Sequence, residues 1–335
     1  MIKVLIAGAL LAGIAKTDNS AIISKEFINN PMPTKGVHAS TIAESGDYFV
    51  SAWFGGTREG KKDVSIYCSR KLKEKGEWCA AHPVASGLQQ DLVRHPCWNP
   101  VLFQPKDGPL MLFYKVGPNP RTWWGMLKLS DDNGRSWSEA RRLPKTFDGP
   151  VKNKPVQLAD GSILCGSSTE FDGWRVHFEK TADFGKTWTR IGPVNDGKAI
   201  NAIQPSILFM GGNNLMAIGR TREKKVFSIS SKDNGATWGE MSLLDIPNPN
   251  SGTDAVTLKD GRHLLVYNHT PKGRSPLNVG ISSDGINWKN VLTLEAEKGE
   301  FSYPAVIQGS DGLLYITYTW KRTNVRFVVL DPKKL

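Results

Sequence analysis

The chain has 335 residues, 39% hydrophobic and 22% charged, with a formal net charge of +11. This is ordinary globular composition, and helical periodicity is nearly absent. The positive excess attracts an acidic partner; no basic run with interleaved aromatics appears, which argues against nucleic acid.

In chain order, the first segment is "MIKVLIAGALLAGIAK", a weak positive start at Lys3, an apolar run from Val4 to Ala15 and small residues before Lys16. The pattern is that of a secretory signal peptide over residues 1–16, which predicts a secreted or periplasmic protein. An apolar run this short does not span a bilayer, which needs about 20 residues. Export would permit a disulfide between Cys68 and Cys79, which flank the first hairpin turn, while Cys97 and Cys165 sit near inner strands and read as buried thiols. No CxxC pair, HExxH or EF-hand loop is present, so the sequence supports neither a metal site nor a cofactor.

From residue 130 onward an octet recurs: "SDDNGRSW" ends at Trp137, "TADFGKTW" at Trp188, "SKDNGATW" at Trp238 and the shortened "SSDGINW" at Trp288. The tryptophans are 51, 50 and 50 residues apart, and "KLKEKGEW", ending at Trp78, is a degenerate earlier copy. A fixed period of this size marks a repeat architecture. Within each octet Asp bonds local amides and Gly supplies positive φ, which closes a tight turn between strands. The octet is therefore a structural staple and not a catalytic motif. Between octets runs a second signal, apolar strand, Gly-containing turn, apolar strand, in six copies beginning at His38, Asn99, Lys154, Gln204, Asp254 and Tyr303. Four short strands per unit make one propeller blade. The sixth unit is short, and "AIISKEFI" near the N-terminus is expected to supply its outer strand and remove the open edge. The prediction is an all-β, six-bladed β-propeller as a single domain over residues 17–335.

Asp-box hairpins at this spacing in six blades resemble the sialidase superfamily, the BNR-repeat proteins, over almost the whole mature chain. The resemblance implies an active site at one mouth of the channel: three arginines gripping a substrate carboxylate, an Asp as acid/base, and a Tyr nucleophile with a Glu partner. Arg220 in "AIGRTRE" and Arg274 in "PKGRSPLNVGIS" match two of the arginines, Tyr303 in "FSYPAVIQ" the nucleophile, and Asp63 in "GGTREGKKDVSIYCSR" the acid/base. Two places depart from the pattern. His38 in "VHAST" stands where the first arginine is expected, with Arg58 nearby to replace its charge, and Gln204 in "AIQPSIL" stands where the Glu is expected. Glu170 in "SSTEFDGWRVHF" is the carboxylate that could enter the mouth from blade three.

His269 shares a loop with Arg274, and both histidines could titrate near neutral pH. Trp123 and Trp124 in "PRTWWGM" suit sugar stacking or core packing equally, and Lys154 and Asp254 face the same mouth by the repeat rule. Three functions fit: a sialidase-type hydrolase using Asp63 and Tyr303 on an acidic sugar, a lyase that abstracts the proton next to a uronate carboxylate with His38, His269 or Tyr303, and a lectin-like binder. The cleavage of a terminal glycosidic bond at an acidic sugar is the leading expectation, since more family positions are kept than lost.

Overall fold

The computed structural model describes residues 19–335 apart from residue 75, so the expected signal peptide lies outside the described residues, as does part of the degenerate octet before Trp78. Twenty-four strands form six antiparallel four-stranded sheets arranged as the blades of a propeller. The innermost strands are Gly36–Ser45, Cys97–Phe103, Val156–Gln157, Ala202–Phe209, Asp254–Thr257 and Phe301–Gln308, in blades one to six. In blade six the outermost strand is Ile22–Phe27, paired antiparallel to Asn324–Leu330, so the start of the described chain closes the ring on its end. Closure leaves no open edge between first and last blades. No helix of the described residues is long and apolar enough to cross a membrane.

The core is divided as a propeller requires. Six clusters of buried apolar side chains each fill the seam between two neighbouring blades. The octet tryptophans explain why the spacing is so regular. Trp137, Trp188, Trp238 and Trp288 each pack into the seam shared with the preceding blade, and Trp78 does the same between blades six and one. Trp238 stacks on Phe178 of blade three, with centroids 3.9 Å apart and rings 5° from parallel. In three copies the indole N–H also donates to the octet glycine carbonyl, at Gly185, Gly235 and Gly285.

The octet Asp faces solvent and organises its own turn. Asp233 accepts the Thr237 amide at 2.8 Å and its hydroxyl at 2.6 Å, and Asp132 accepts the same pair from Ser136. The octet's leading Ser or Thr accepts the glycine amide, as Ser231 does from Gly235 at 2.9 Å. These turns hold the blade; none reaches the channel mouth. Cys68 and Cys79 are both free thiols, one buried and one exposed, so the bridge that export would permit is absent.

Four innermost strands share a feature that the sequence did not announce. Ala39, Asn99, Gln204 and Tyr303 have φ of 55°, 35°, 59° and 52°, and each lies where the ladder to the second strand slips register. A bulge of this kind bends the strand and re-aims one side chain. In blade one the left-handed residue is Ala39, so His38 sits one place before the ring position assigned to it.

The hydroxyl donors of Ser136 and Thr237 hold Asp132 and Asp233 at a pKa of about 2, and Asp183 reaches the same value against a desolvation penalty, through the amide and hydroxyl of Thr187. An unfolded Asp titrates near 3.9. A depressed folded pKa contributes stability that is complete above the unfolded value and lost as pH falls through the folded one. Thermal melts of the wild type should therefore lose stability between about pH 4 and pH 2 more steeply than those of a triple Asp132→Asn/Asp183→Asn/Asp233→Asn variant. Equal slopes would show that the octet carboxylates are not held this way.

Candidate active site

Tyr303, Arg220, Arg274 and His38 come together at one mouth of the channel. The left-handed conformation of Tyr303 carries its phenol oxygen to Arg220, whose Nη1 donates to it at 3.0 Å. Guanidinium carbons of Arg220 and Arg274 lie 5.6 and 5.7 Å from the Tyr303 ring centroid, and the Lys152 ammonium lies 5.9 Å from it. The His38 ring packs on the same tyrosine with centroids 4.1 Å apart. Tyr303 and Arg220 are 8% and 7% exposed, which leaves each a narrow contact with solvent. Burial first, then Arg322, Arg274, Arg220 and Lys152, lower the His38 pKa well below the usual imidazole range, so His38 is neutral.

Two cations of this group were not anticipated. Arg322 sits at the tip of the hairpin joining the last two strands of blade six, where Lys321 and Arg322 have φ of 50° and 61°. Two adjacent positive φ values are those of a type I′ turn, for which the sequence signal is Asn-Gly. "KRT" gives no such signal, so the hairpin tip went unmarked. Its one visible clue is the "RT" that also ends the second strand of blade four, Leu215–Thr221. Lys152 is fully buried, with φ 74°, and donates to the carbonyls of Thr253, at 2.6 Å, and Pro304. Burial lowers its pKa to about 7.

Acidic groups are few here. Glu300 Oε1 accepts Arg274 Nη1 at 2.7 Å and Arg322 Nε at 2.5 Å, while Arg322 Nη1 reaches Glu59 at 2.5 Å. Glu170, of blade three, lies among Arg220, Arg222 and Trp174, and burial raises its pKa above the usual carboxylate value against the pull of both arginines. Trp174 is clamped between the same arginines, at 5.0 and 4.4 Å. Gln204 bonds to Ser168 and Asn153 through its backbone only, and its buried Oε1 has no partner. A Cβ on Gly252 would stand 3.2 Å from the Tyr303 ring, 3.3 Å from Lys152 Cε and 3.4 Å from Gln204 Oε1, so these three groups converge.

The remaining residues singled out in the sequence are placed differently. Asp63 turns its carboxylate to the Thr57 amide and hydroxyl, both at 2.6 Å, and these bonds keep its pKa low. It braces the loop carrying Arg58 and Glu59, which line a cavity beside His38 of about 820 Å³. Lys154 and Asp254 are spent on each other at 2.9 Å, and Asp254 also takes Ser206 and the Val306 amide, tying blades three to six across the channel. His269 bonds Tyr267 at 2.6 Å. Trp124 packs on the blade one–two core under Arg142, at 4.5 Å, and edge-on to His95, while Trp123 lies edge-on to Trp98. The tryptophan that lines the cavity is Trp98.

Among the described residues one cluster, Asp148, His177 and Glu179, brings potential metal-ligand atoms within 4.8 Å of one another. Burial and the neighbouring Glu179 charge raise Asp148 to about 6. Lys115, buried nearby and donating to the Pro150 carbonyl, supplies a positive charge to the same cluster.

The profile of BNR repeat-like domains matches residues 47–316. No curated protein matches this sequence. Solved structures do. A protein of unknown function from Dyadobacter fermentans is similar with a TM-score of 0.75 at 16% identity, over 92% of this chain and 98% of that one. The NanB sialidase of Streptococcus pneumoniae gives 0.75 at 12% identity, over 90% and 69%. The intramolecular trans-sialidase of Ruminococcus gnavus gives 0.73 at 13%, over 96% and 99%. At these identities the likeness is one of fold.

Lys152 makes the site pH-sensitive in a definite direction. Its folded pKa of about 7 is below that of a free lysine, near 10.4, so between those values the unfolded chain binds the extra proton and stability rises with pH. In a Lys152→Met variant that rise should be missing relative to wild type between about pH 7 and pH 10. Parallel stability–pH curves for the two proteins would contradict the assignment.

Proposed function

We propose that this chain, which belongs to the family of BNR repeat-like domains, is a glycan-active enzyme that cleaves a terminal glycosidic bond at an acidic sugar. The observation that carries this reading is the convergence of Lys152, Arg220 and Arg274 around one tyrosine. Arg322 joins them through Glu300, the one carboxylate bonded to this group's arginines besides Glu59. A partly dry pocket whose arginines carry an excess of positive charge is stabilised by an anion, and a guanidinium fork suits a carboxylate.

In this reading Arg220 and Arg274 take the sugar carboxylate, and positive charge developing at the anomeric carbon forms beside it. Tyr303, with Arg220 already on its oxygen, is placed to attack that carbon. The proton for the departing oxygen comes from Glu170. A general acid must be protonated at working pH, and Glu170 is pushed up by burial whereas Asp63 is held down by Thr57. His38, a neutral base stacked on the Tyr303 ring, takes the phenol proton as that oxygen bonds to the anomeric carbon. Water, deprotonated by the Glu170 carboxylate left after the first step, then displaces the tyrosine oxygen and frees the sugar, and the phenol recovers its proton from His38.

One observation favours a second reading, β-elimination on a uronate. Gln204 stands where a carboxylate partner of the tyrosine was expected, and a carboxamide accepts no proton. There the arginines would stabilise the enediolate, and Tyr303 or His38 would remove the α-proton.

Glu170→Gln should lower turnover by ~10²–10⁴-fold, and Asp63→Asn should act only through its loop, with a smaller loss. Arg220→Ala or Arg274→Ala should weaken binding of the acidic sugar by ~2–5 kcal/mol, with no rescue by Lys. Release of free acidic sugar by wild type supports hydrolysis; a product with the ultraviolet absorbance of a conjugated unsaturated uronate supports elimination. Unchanged turnover in Glu170→Gln would remove the acid from this account.

A further inference from the structure

We infer that the cavity between blades one, two and six is a second anion subsite, and that the substrate carries a second carboxylate or sulfate on the ring next to the one held by Arg220 and Arg274. The inference rests on the proposed binding of an acidic sugar and extends it to the class of glycan.

The cavity opens from His38, which joins it to the tyrosine site. Its volume of about 820 Å³ is within the range of small-ligand pockets. Phe54 and Trp98 supply apolar wall, set edge to face at 6.3 Å. Trp98 is fixed by its indole N–H on the Gly117 carbonyl, at 2.8 Å, so the wall is rigid. Three cations line the space, Lys35, Arg58 and Arg322. Arg322 is already committed to Glu59 and Glu300. Among the described residues the side chains of Lys35 and Arg58, both exposed, make no hydrogen bond or ion pair, and no acid besides Glu59 and Glu300 lines the cavity. Two cations without acidic partners face an aromatic wall.

The backbone of Arg58 is positioned by its loop. Asp63 ties the loop's far end back to Thr57 through two bonds of 2.6 Å. Gly60 takes the left-handed turn, φ 79°, that lays the loop against Trp98. Glu59 leaves this loop to pin Arg322. Asp63 is thus a positioning residue for Arg58, which gives a function to a carboxylate that is turned away from Tyr303. The loop backbone under Arg58 is set before binding, which spares that part of the ordering cost on association, while the exposed Lys35 and Arg58 side chains order on the anion.

The test measures binding to the full chain by calorimetry for three disaccharide pairs: digalacturonate, a two-carboxylate disaccharide containing glucuronate, and a sulfated sialyl disaccharide, each against its counterpart with the second anion esterified or removed. At least one dianionic member should bind about tenfold more tightly than its counterpart. Lys35→Ala/Arg58→Ala should abolish that difference while leaving the counterpart's affinity unchanged, and Asp63→Ala should reduce it. Arg220→Ala should weaken both members. No difference within any pair, or equal weakening of both members by the double variant, would overturn the subsite. If the double variant acts as expected and Arg220→Ala changes neither member, the subsite stands and the carboxylate reading at Tyr303 fails.

Discussion

The channel mouth depends on one backbone constraint, the left-handed conformation of Tyr303 at φ 52°. Such a conformation costs a non-glycine residue roughly 1–3 kcal/mol and persists only where surrounding structure enforces it. The enforcement is visible. Lys152 reaches over from blade three to the Pro304 carbonyl, Asp254 from blade five takes the Val306 amide, and the ring of His38 closes on the tyrosine from blade one. Relaxing the bulge would withdraw the phenol from Arg220 and separate the aromatic ring from the cations around it. Ala39, Asn99 and Gln204 repeat the same bulge, so the repeat supplies a ring of re-aimed side chains and only the residue types differ.

Charge is arranged around that point as an unfinished network. Buried charges are tolerated when paired, and the pairing here is deliberate on one side only. Glu300 serves Arg274 and Arg322 with one oxygen, while Arg220 is satisfied by a neutral phenol and leaves its buried Nε without a partner. The site thus holds its cations in place and leaves room in their coordination. The octet carboxylates lie at the opposite extreme: each Asp spends its oxygens on its own turn, and so shapes its blade.

The architecture was legible because it is periodic. Trp137, Trp188, Trp238 and Trp288 fill equivalent seams of successive blades, so their spacing in the chain is the spacing of blades in the ring. Tyr303, Arg220 and Arg274 were legible because they lie at strand starts and ends that the repeat defines. Lys152 and Arg322 were not, since each stands on a left-handed position occupied by a residue without turn signature, and strain there shows only in the backbone. Asp63 was misdirected by type, a carboxylate in the right region read as facing the ligand, and for Trp124 the sequence left sugar stacking and core packing equal. The first is turned by Thr57 and the second by the blade one–two core. Cys68 and Cys79, left open by the sequence as a possible bridge, are free thiols, the first buried and the second exposed.

The central claim is that a sugar carboxylate is held over Tyr303, and a crystal structure of the chain soaked with the acidic sugar it binds best tests it most directly. The account predicts both carboxylate oxygens within hydrogen-bond reach of Arg220 and Arg274, with the anomeric carbon facing the Tyr303 phenol. A sugar bound with its carboxylate directed away from both arginines, or bound at a different face of the propeller, would contradict it.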